Sequence, residues 1–260
     1  MQETPQSEIS LQHIEECIKC GHCVGVCPTS SVIHSSFPAN KVHPINPEEL
    51  PTPAQTMMLI KSRRSNRAFS KEQIPEEMID QILEAAHRAP TASNMQQVEF
   101  TFITDFQTRQ EVTDFTIDIF LELTKKLTNP FLKPILKRIM PDVYKYLDHL
   151  YLMKEERDKG GDPILRNAKA LLIIHTPKGS RFGQADANLA YQNASLMAES
   201  LGVSQFYTGF LQIALQQDKK KRIQWLLGIE GEIHAGMGLG MPAFKFENYI
   251  DKKEIKVNKI

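Results

Sequence analysis

The 260 residues, 41% hydrophobic and 24% charged, suffice to bury roughly 70–75% of the unfolded chain's surface without disulfides or metal, and the composition excludes a disordered chain. Lys plus Arg and Asp plus Glu each number 31, so the zero formal charge gives no global basic field to attract nucleic acid or an anionic membrane. No apolar run approaches the ~20 residues of a bilayer span, and the opening MQETPQSEIS is too polar for a signal peptide, so a cytoplasmic protein is expected.

In chain order, the first feature is a run of four cysteines, Cys17, Cys20, Cys23 and Cys27, after which the sequence contains none. Confined to one short loop they cannot cross-link distant parts of a fold. Their spacing, C-x2-C-x2-C-x3-C followed by Pro28, is that of a bacterial ferredoxin run and predicts one 4Fe-4S cluster per chain. A structural zinc site is the alternative, although zinc pairs usually come as two separated C-x2-C units. In two-cluster ferredoxins the fourth cysteine serves the other cluster. Cys27 therefore either completes its own cluster, yields to a non-cysteine ligand, or serves a cluster on a second subunit.

Pro38, Pro44, Pro47, Pro51 and Pro53 mark residues 29–53 as an extended connector, which places an iron–sulfur segment and linker at 1–50 and a second domain at 51–260. Thr52-Pro53 starts a helix that runs into Arg63-Arg64-Ser65. Met78, Ile79, Ile82, Leu83 and Ala86 form the apolar face of a second helix from Pro75. Val98, Phe100 and Phe102 alternate with polar residues, predicting a strand with one buried face. Residues 106–166 read as a helical insertion interrupted by prolines, with a mobile lid as the functional alternative, and Lys154–Asp162 as a solvated turn. A buried strand at Ala170–His175, a helix over Asp186–Leu201 stopped by Gly202, a strand at Ser204–Tyr207, a helix at Leu211–Gln217 and a strand at Glu232–Leu239 complete an α+β order.

Four segments carry chemistry. Arg63-Arg64-Ser65-Asn66-Arg67 offers guanidinium forks and a hydroxyl suited to a phosphate dianion. Ala89–Gln96 places Asn94 and Gln96 where paired donors and acceptors suit a heteroaromatic edge. Tyr207-Thr208-Gly209-Phe210 lets backbone amides approach a ligand. Gly238–Pro242, followed by Ala243-Phe244-Lys245, is a weak Gly-x-Gly signal.

The order RRSNRAF, APTASNMQ, DANLAYQNASLMAESLGV, YTGF and GLGMP over about residues 53–246 resembles the nitroreductase family of flavin enzymes. With the cysteine run, it is similar to that family's ferredoxin-containing, clostridial-type branch. The resemblance implies a nitroreductase-like sandwich of a mixed sheet flanked by helices, working as a homodimer with FMN at the subunit interface. On it, Arg63, Ser65 and Arg67 would hold the FMN phosphate with Arg64 nearby. Lys245 would add a cation, Asn94 and Gln96 would face the ring from the partner subunit, and the Gly209 amide, flanked by Thr208 and Phe210, would approach the ring. Gln97 and Val98 stand where relatives often carry Pro and an aromatic residue. Met241 replaces the Tyr of a common Gly-Tyr-Pro, and a C-terminal arginine is absent, with Lys252 or Lys253 as stand-ins.

The function implied is FMN-dependent reduction of nitroaromatic, quinone-like or similar small acceptors, with electrons from an iron–sulfur cluster, a ferredoxin or NAD(P)H. The alternatives are reductive dehalogenation or reduction of an activated double bond, and a non-catalytic electron carrier or redox sensor. His22 and His175 are read as packing or surface residues, and no side-chain acid or base is assigned.

Overall fold

A computed structural model describes residues 13–260 apart from 140 and 145; the expected N-terminal segment lies outside the described residues over 1–12. The strand that organises it is β2 (Ala170–Thr176), in which all seven residues are buried. Such a run is too apolar for a strand with one wet face. Its Leu171 and Ile173 enter one core, while Leu172 and Ile174 enter another on the opposite face, as the two-residue period of a strand requires.

β1 (Glu99–Ile103), β2, β4 (Glu232–Gly240) and β3 (Ser204–Tyr207) form a sheet in the order β1-β2-β4-β3. Each neighbouring pair is antiparallel, and a parallel bridge from Ser65 to Gln205 makes the sheet mixed. Phe100 and Phe102 of β1, opposite Ile174 and Leu172, pack on the second core as their alternation predicts, while Ile103 on the other face is buried in the first, so the strand is not one-sided throughout.

Helices cover both faces. On the first lie α4 (Phe106–Thr128) and α9 (Gly209–Gln217), contributing Val112, Phe115, Phe120, Leu211 and Ala214. On the second lie α3 (Glu76–His87) and α8 (Gly183–Ser200). α8 presents Ala187, Ala190, Ala194 and Ala198, all fully buried, and such short side chains let it lie close against β2 and β4. This is the expected α+β sandwich.

Two expectations need correction. After the one-turn α1 (His22–Gly25), the first domain helix, α2 (Pro53–Ser62), stops before the arginines, with Arg63 non-helical at its C-cap; α2 begins with a capping box between Thr52 and Gln55, as its first residues suggest. The run 154–162 is not a solvated turn, because Lys154–Asp158 is the end of α7 (Leu147–Asp158) and Asp162 is buried. The Asp162 carboxylate accepts from the Thr113 hydroxyl at 2.9 Å and from the amides of Leu165 and Asn167 at 2.8 and 3.0 Å. The helical insertion is otherwise as expected: α5 (Lys133–Ile139) and α6 (Pro141–Tyr144) are short, and the Arg157 guanidinium ties α7 to Asp114 of α4 at 2.6 and 2.9 Å. Among the described residues no helix is long and apolar enough to cross a membrane.

Candidate functional site

The turn after α2 is fastened by its backbone, which frees its side chains. The Asn66 amide donates to the Gln205 carbonyl at 3.0 Å, and the Gln205 side-chain amide donates to the Arg64 carbonyl at 3.3 Å. Gln205 is only 1% exposed, and its Oε1 accepts from the Tyr191 hydroxyl at 2.8 Å. Asn66 adds a second anchor, accepting from the Ala68 amide at 3.0 Å and donating to the Phe244 carbonyl at 3.2 Å. Buried polar side chains thus satisfy the turn's peptide groups, as a buried backbone demands. Burial pushes the Tyr191 phenol up, while the nearby charges of Arg63 and Arg67 pull it down.

Arg63, Arg64 and Ser65 line one cavity of about 1180 Å³ together with Lys245. Its far wall is the C-terminal stretch, including Phe246, Tyr249, Lys252 and Ile255. That stretch reads as a solvated lysine-rich tail by charge, and its residues 243–260 are all exposed. Among the described residues, no carboxylate forms a salt bridge with Arg63, Arg64, Arg67 or Lys245.

Arg67 points elsewhere. Its guanidinium lies 5.5 Å over the Phe206 ring, and it shares a second cavity, of about 250 Å³, with Arg166, Thr208, Gly209 and Phe210. The buried Thr208 hydroxyl has no hydrogen-bond partner among the described residues. A Cβ built on Gly209 meets nothing within 4 Å, so the backbone there borders open space. An orphaned hydroxyl, an open glycine and the Arg67 guanidinium, which has no salt-bridge partner among the described residues, suit a ligand with an anionic end and a flat polar ring.

Asn94 and Gln96 line neither cavity. They sit before β1, in a turn where Ser93, Asn94 and Gln96 have φ of 51°, 52° and 49°, unusual for residues other than glycine. The Ala92 amide anchors this turn to the Asp186 carboxylate at 3.1 Å. One chain therefore brings Arg63, Arg64, Ser65 and Lys245 together, sets Arg67, Thr208, Gly209 and Phe210 beside them in a second group, and keeps Asn94 and Gln96 apart.

The expected metal ligands Cys17, Cys20, Cys23 and Cys27 are free thiols, the first three exposed. Among the described residues, no three His, Cys, Asp or Glu side chains are gathered to hold a metal ion. The Cys17 sulfur lies 3.7 Å from His34 Nε2, and the Cys27 sulfur 3.6 Å from the Thr29 hydroxyl. The Thr29 hydroxyl and nearby backbone amides lower the Cys27 thiol to about 7, so thiolate is accessible at neutral pH. The donor chemistry suits a cluster, and the arrangement does not assemble one.

His175 is buried, with its Nε2 at 3.0 Å from the Thr101 hydroxyl, a packing environment of the kind expected. Sequence reading misses Gln205, Tyr191, Asn66 and Arg166. The only signal for Gln205 is a polar side chain in the middle of an otherwise buried strand.

The nitroreductase family profile matches residues 60–241. An NADPH-dependent oxidoreductase from Staphylococcus saprophyticus is 26% identical over 186 residues, 71% of this chain. The chain spans 63% of that relative's length. A nitroreductase with bound FMN from Bacteroides fragilis superposes with a TM-score of 0.57 at 21% identity, covering 79% of this chain and 99% of that one. An FMN-dependent nitroreductase from Clostridium difficile gives 0.57 at 20% identity, with 79% and 99% covered. These structural likenesses show the shared fold.

Proposed function

Because the chain belongs to the nitroreductase family, we propose that it is an FMN-dependent oxidoreductase that reduces nitroaromatic, quinone-like or similar small acceptors as a homodimer. The observation that carries this reading is the convergence of Arg63, Arg64, Ser65 and Lys245 on one large cavity with no salt-bridged carboxylate among the described residues. Uncompensated cations at a cavity wall favour an anionic ligand, and planar guanidiniums bind phosphate oxygens in pairs.

FMN, when bound, supplies a ring that exchanges electrons between donor and acceptor. The protein's part is to hold and orient it. Arg63 and Ser65 grip the phosphate, with Arg64 and Lys245 adding positive charge, and Arg67 joins them by swinging off the Phe206 ring that its guanidinium covers here. The Gly209 amide, between Thr208 and Phe210, approaches the ring where no side chain blocks it, and positive charge nearby favours extra negative charge on the ring. Asn94 and Gln96 come from the second copy. Support for that lies in the sheet order: the arginine turn is bonded to β3 at one edge, and the Asn94 turn leads into β1 at the other, about 14 Å away across three strand spacings.

The cysteine spacing supports one 4Fe-4S cluster per chain on Cys17, Cys20, Cys23 and Cys27, in a segment ending near residue 50 that precedes the flavin domain at 51–260. Electrons come from a ferredoxin, from NAD(P)H or, where the four thiols gather around a cluster, through that segment. Anaerobic turnover of a nitroaromatic by FMN-loaded protein, with NADPH and with reduced ferredoxin in parallel, tests the proposal. FMN-dependent turnover with either donor is expected; none with both overturns it.

A further inference from the structure

Asn94 belongs to the segment expected to face a flavin ring, yet its side-chain amide donates to the carbonyls of Ile18 at 3.2 Å and Lys19 at 2.8 Å. Those peptide groups lie between Cys17 and Cys20. The contact joins positions 75 and 76 residues apart in sequence, so it is a tertiary contact. A primary amide carries two N–H donors, and here two consecutive carbonyls take them. The assignment of nitrogen to that position follows from its surroundings, since an amide oxygen facing two carbonyls would be repelled.

Both partners are bent for this contact. On the loop side Lys19 has φ of 52° and Gly21 of 76°. Gly21 is packed over the Phe37 ring, 3.4 Å from where a Cβ would sit. On the other side, Ser93 and Asn94 are left-handed, a conformation Asn tolerates better than most residues. The turn is kept in place by the Asp186 anchor and by the Gln96 amide, which donates to the Thr91 hydroxyl at 2.9 Å.

We propose that Asn94 is a positioning residue that docks the cysteine loop onto the turn carrying the ring-facing residues. The consequence for electron delivery rests on the flavin reading above; the docking rests on the hydrogen bonds alone. With both amide protons held by the loop, Asn94 offers a ring only its Oδ1, an acceptor. The peptide between Cys17 and Cys20 is then one side chain away from the ring edge, and loop and ring site are aligned by the same residue.

The test is hydrogen–deuterium exchange on the full chain with Asn94→Asp and Asn94→Gln. Asp has the same shape and the same tolerance of a positive φ, but turns both donors into acceptors against two carbonyls. Gln keeps the donors, and Gln96 at φ 49° shows that this turn accepts glutamine. The expected result is roughly tenfold faster exchange over residues 14–27 in Asn94→Asp, largely restored in Asn94→Gln, with Ala170–Thr176 unchanged in both. Unchanged exchange over 14–27 in Asn94→Asp overturns the proposal, as does an equal loss in both variants or a loss that extends to Ala170–Thr176. FMN absorbance of the unmutated protein, set beside the loop exchange in the variants, separates the two readings. Loop loosening in a chain that binds no FMN sinks the enzyme reading and keeps the docking; FMN binding with an unmoved loop does the reverse.

Discussion

Gln205 holds the arginine turn from beneath, and its loss leaves the Tyr191 hydroxyl and the Arg64 carbonyl without partners in a buried setting. A buried polar group left unsatisfied costs about 1–3 kcal/mol. Gln205→Ala is expected to destabilise the fold by about 2–4 kcal/mol once the cavity is included, and to weaken FMN binding beyond what the melting shift explains. Denaturation and flavin titration on the same sample check both. His175 and His234 give a pH effect. Burial is the main cause lowering both side chains, His234 further lowers His175, and Glu99 and Glu232 oppose it. Their proton affinity is therefore lower folded than unfolded. Stability is full above the unfolded value near 6.5 and falls as pH drops from there toward the folded values. The melting temperature should decline between pH 7 and 5.5, and His175→Gln should flatten that decline; a parallel decline in the variant contradicts the assignment.

Elements differ in how readable they are. α3 was legible because Ile82 and Ala86 recur at helical spacing and are indeed the residues it buries. β1 was legible from its alternation, and β2 from its unbroken apolar run. α5, α6 and α10 (Arg222–Leu227) were not, since a helix of four to seven residues gives too few turns for a period to show. The candidate site was half legible. The arginine turn and Lys245 announce themselves by charge, whereas Gln205 and Tyr191 act through contacts that the chain order hides. Gly238 makes a prediction at this scale. It faces Phe206 across the β3–β4 pair, and a Cβ there would stand 2.5 Å from the buried ring. Gly238→Ala should cost about 1–3 kcal/mol by overpacking, read as a lower denaturant midpoint, while Gly209→Ala, facing open space, should leave the midpoint near that of the parent and instead impair flavin binding.

At the scale of the whole molecule, the groups proposed to surround one flavin lie at opposite edges of a four-stranded sheet, and in the proposed homodimer a second copy of the chain would bring them together. The central claim is that the turn at Arg63–Arg67 grips a phosphate. It is tested most directly by comparing the affinity of the protein for FMN and for riboflavin, which differ by that phosphate alone, in the parent and in a variant combining Arg63→Ala and Arg67→Ala. Two charge-assisted contacts at about 1.5–3 kcal/mol each predict that the parent prefers FMN by at least about a hundredfold and that the preference collapses in the variant. Equal affinity of the parent for the two flavins, or a preference that survives the loss of both arginines, contradicts the account.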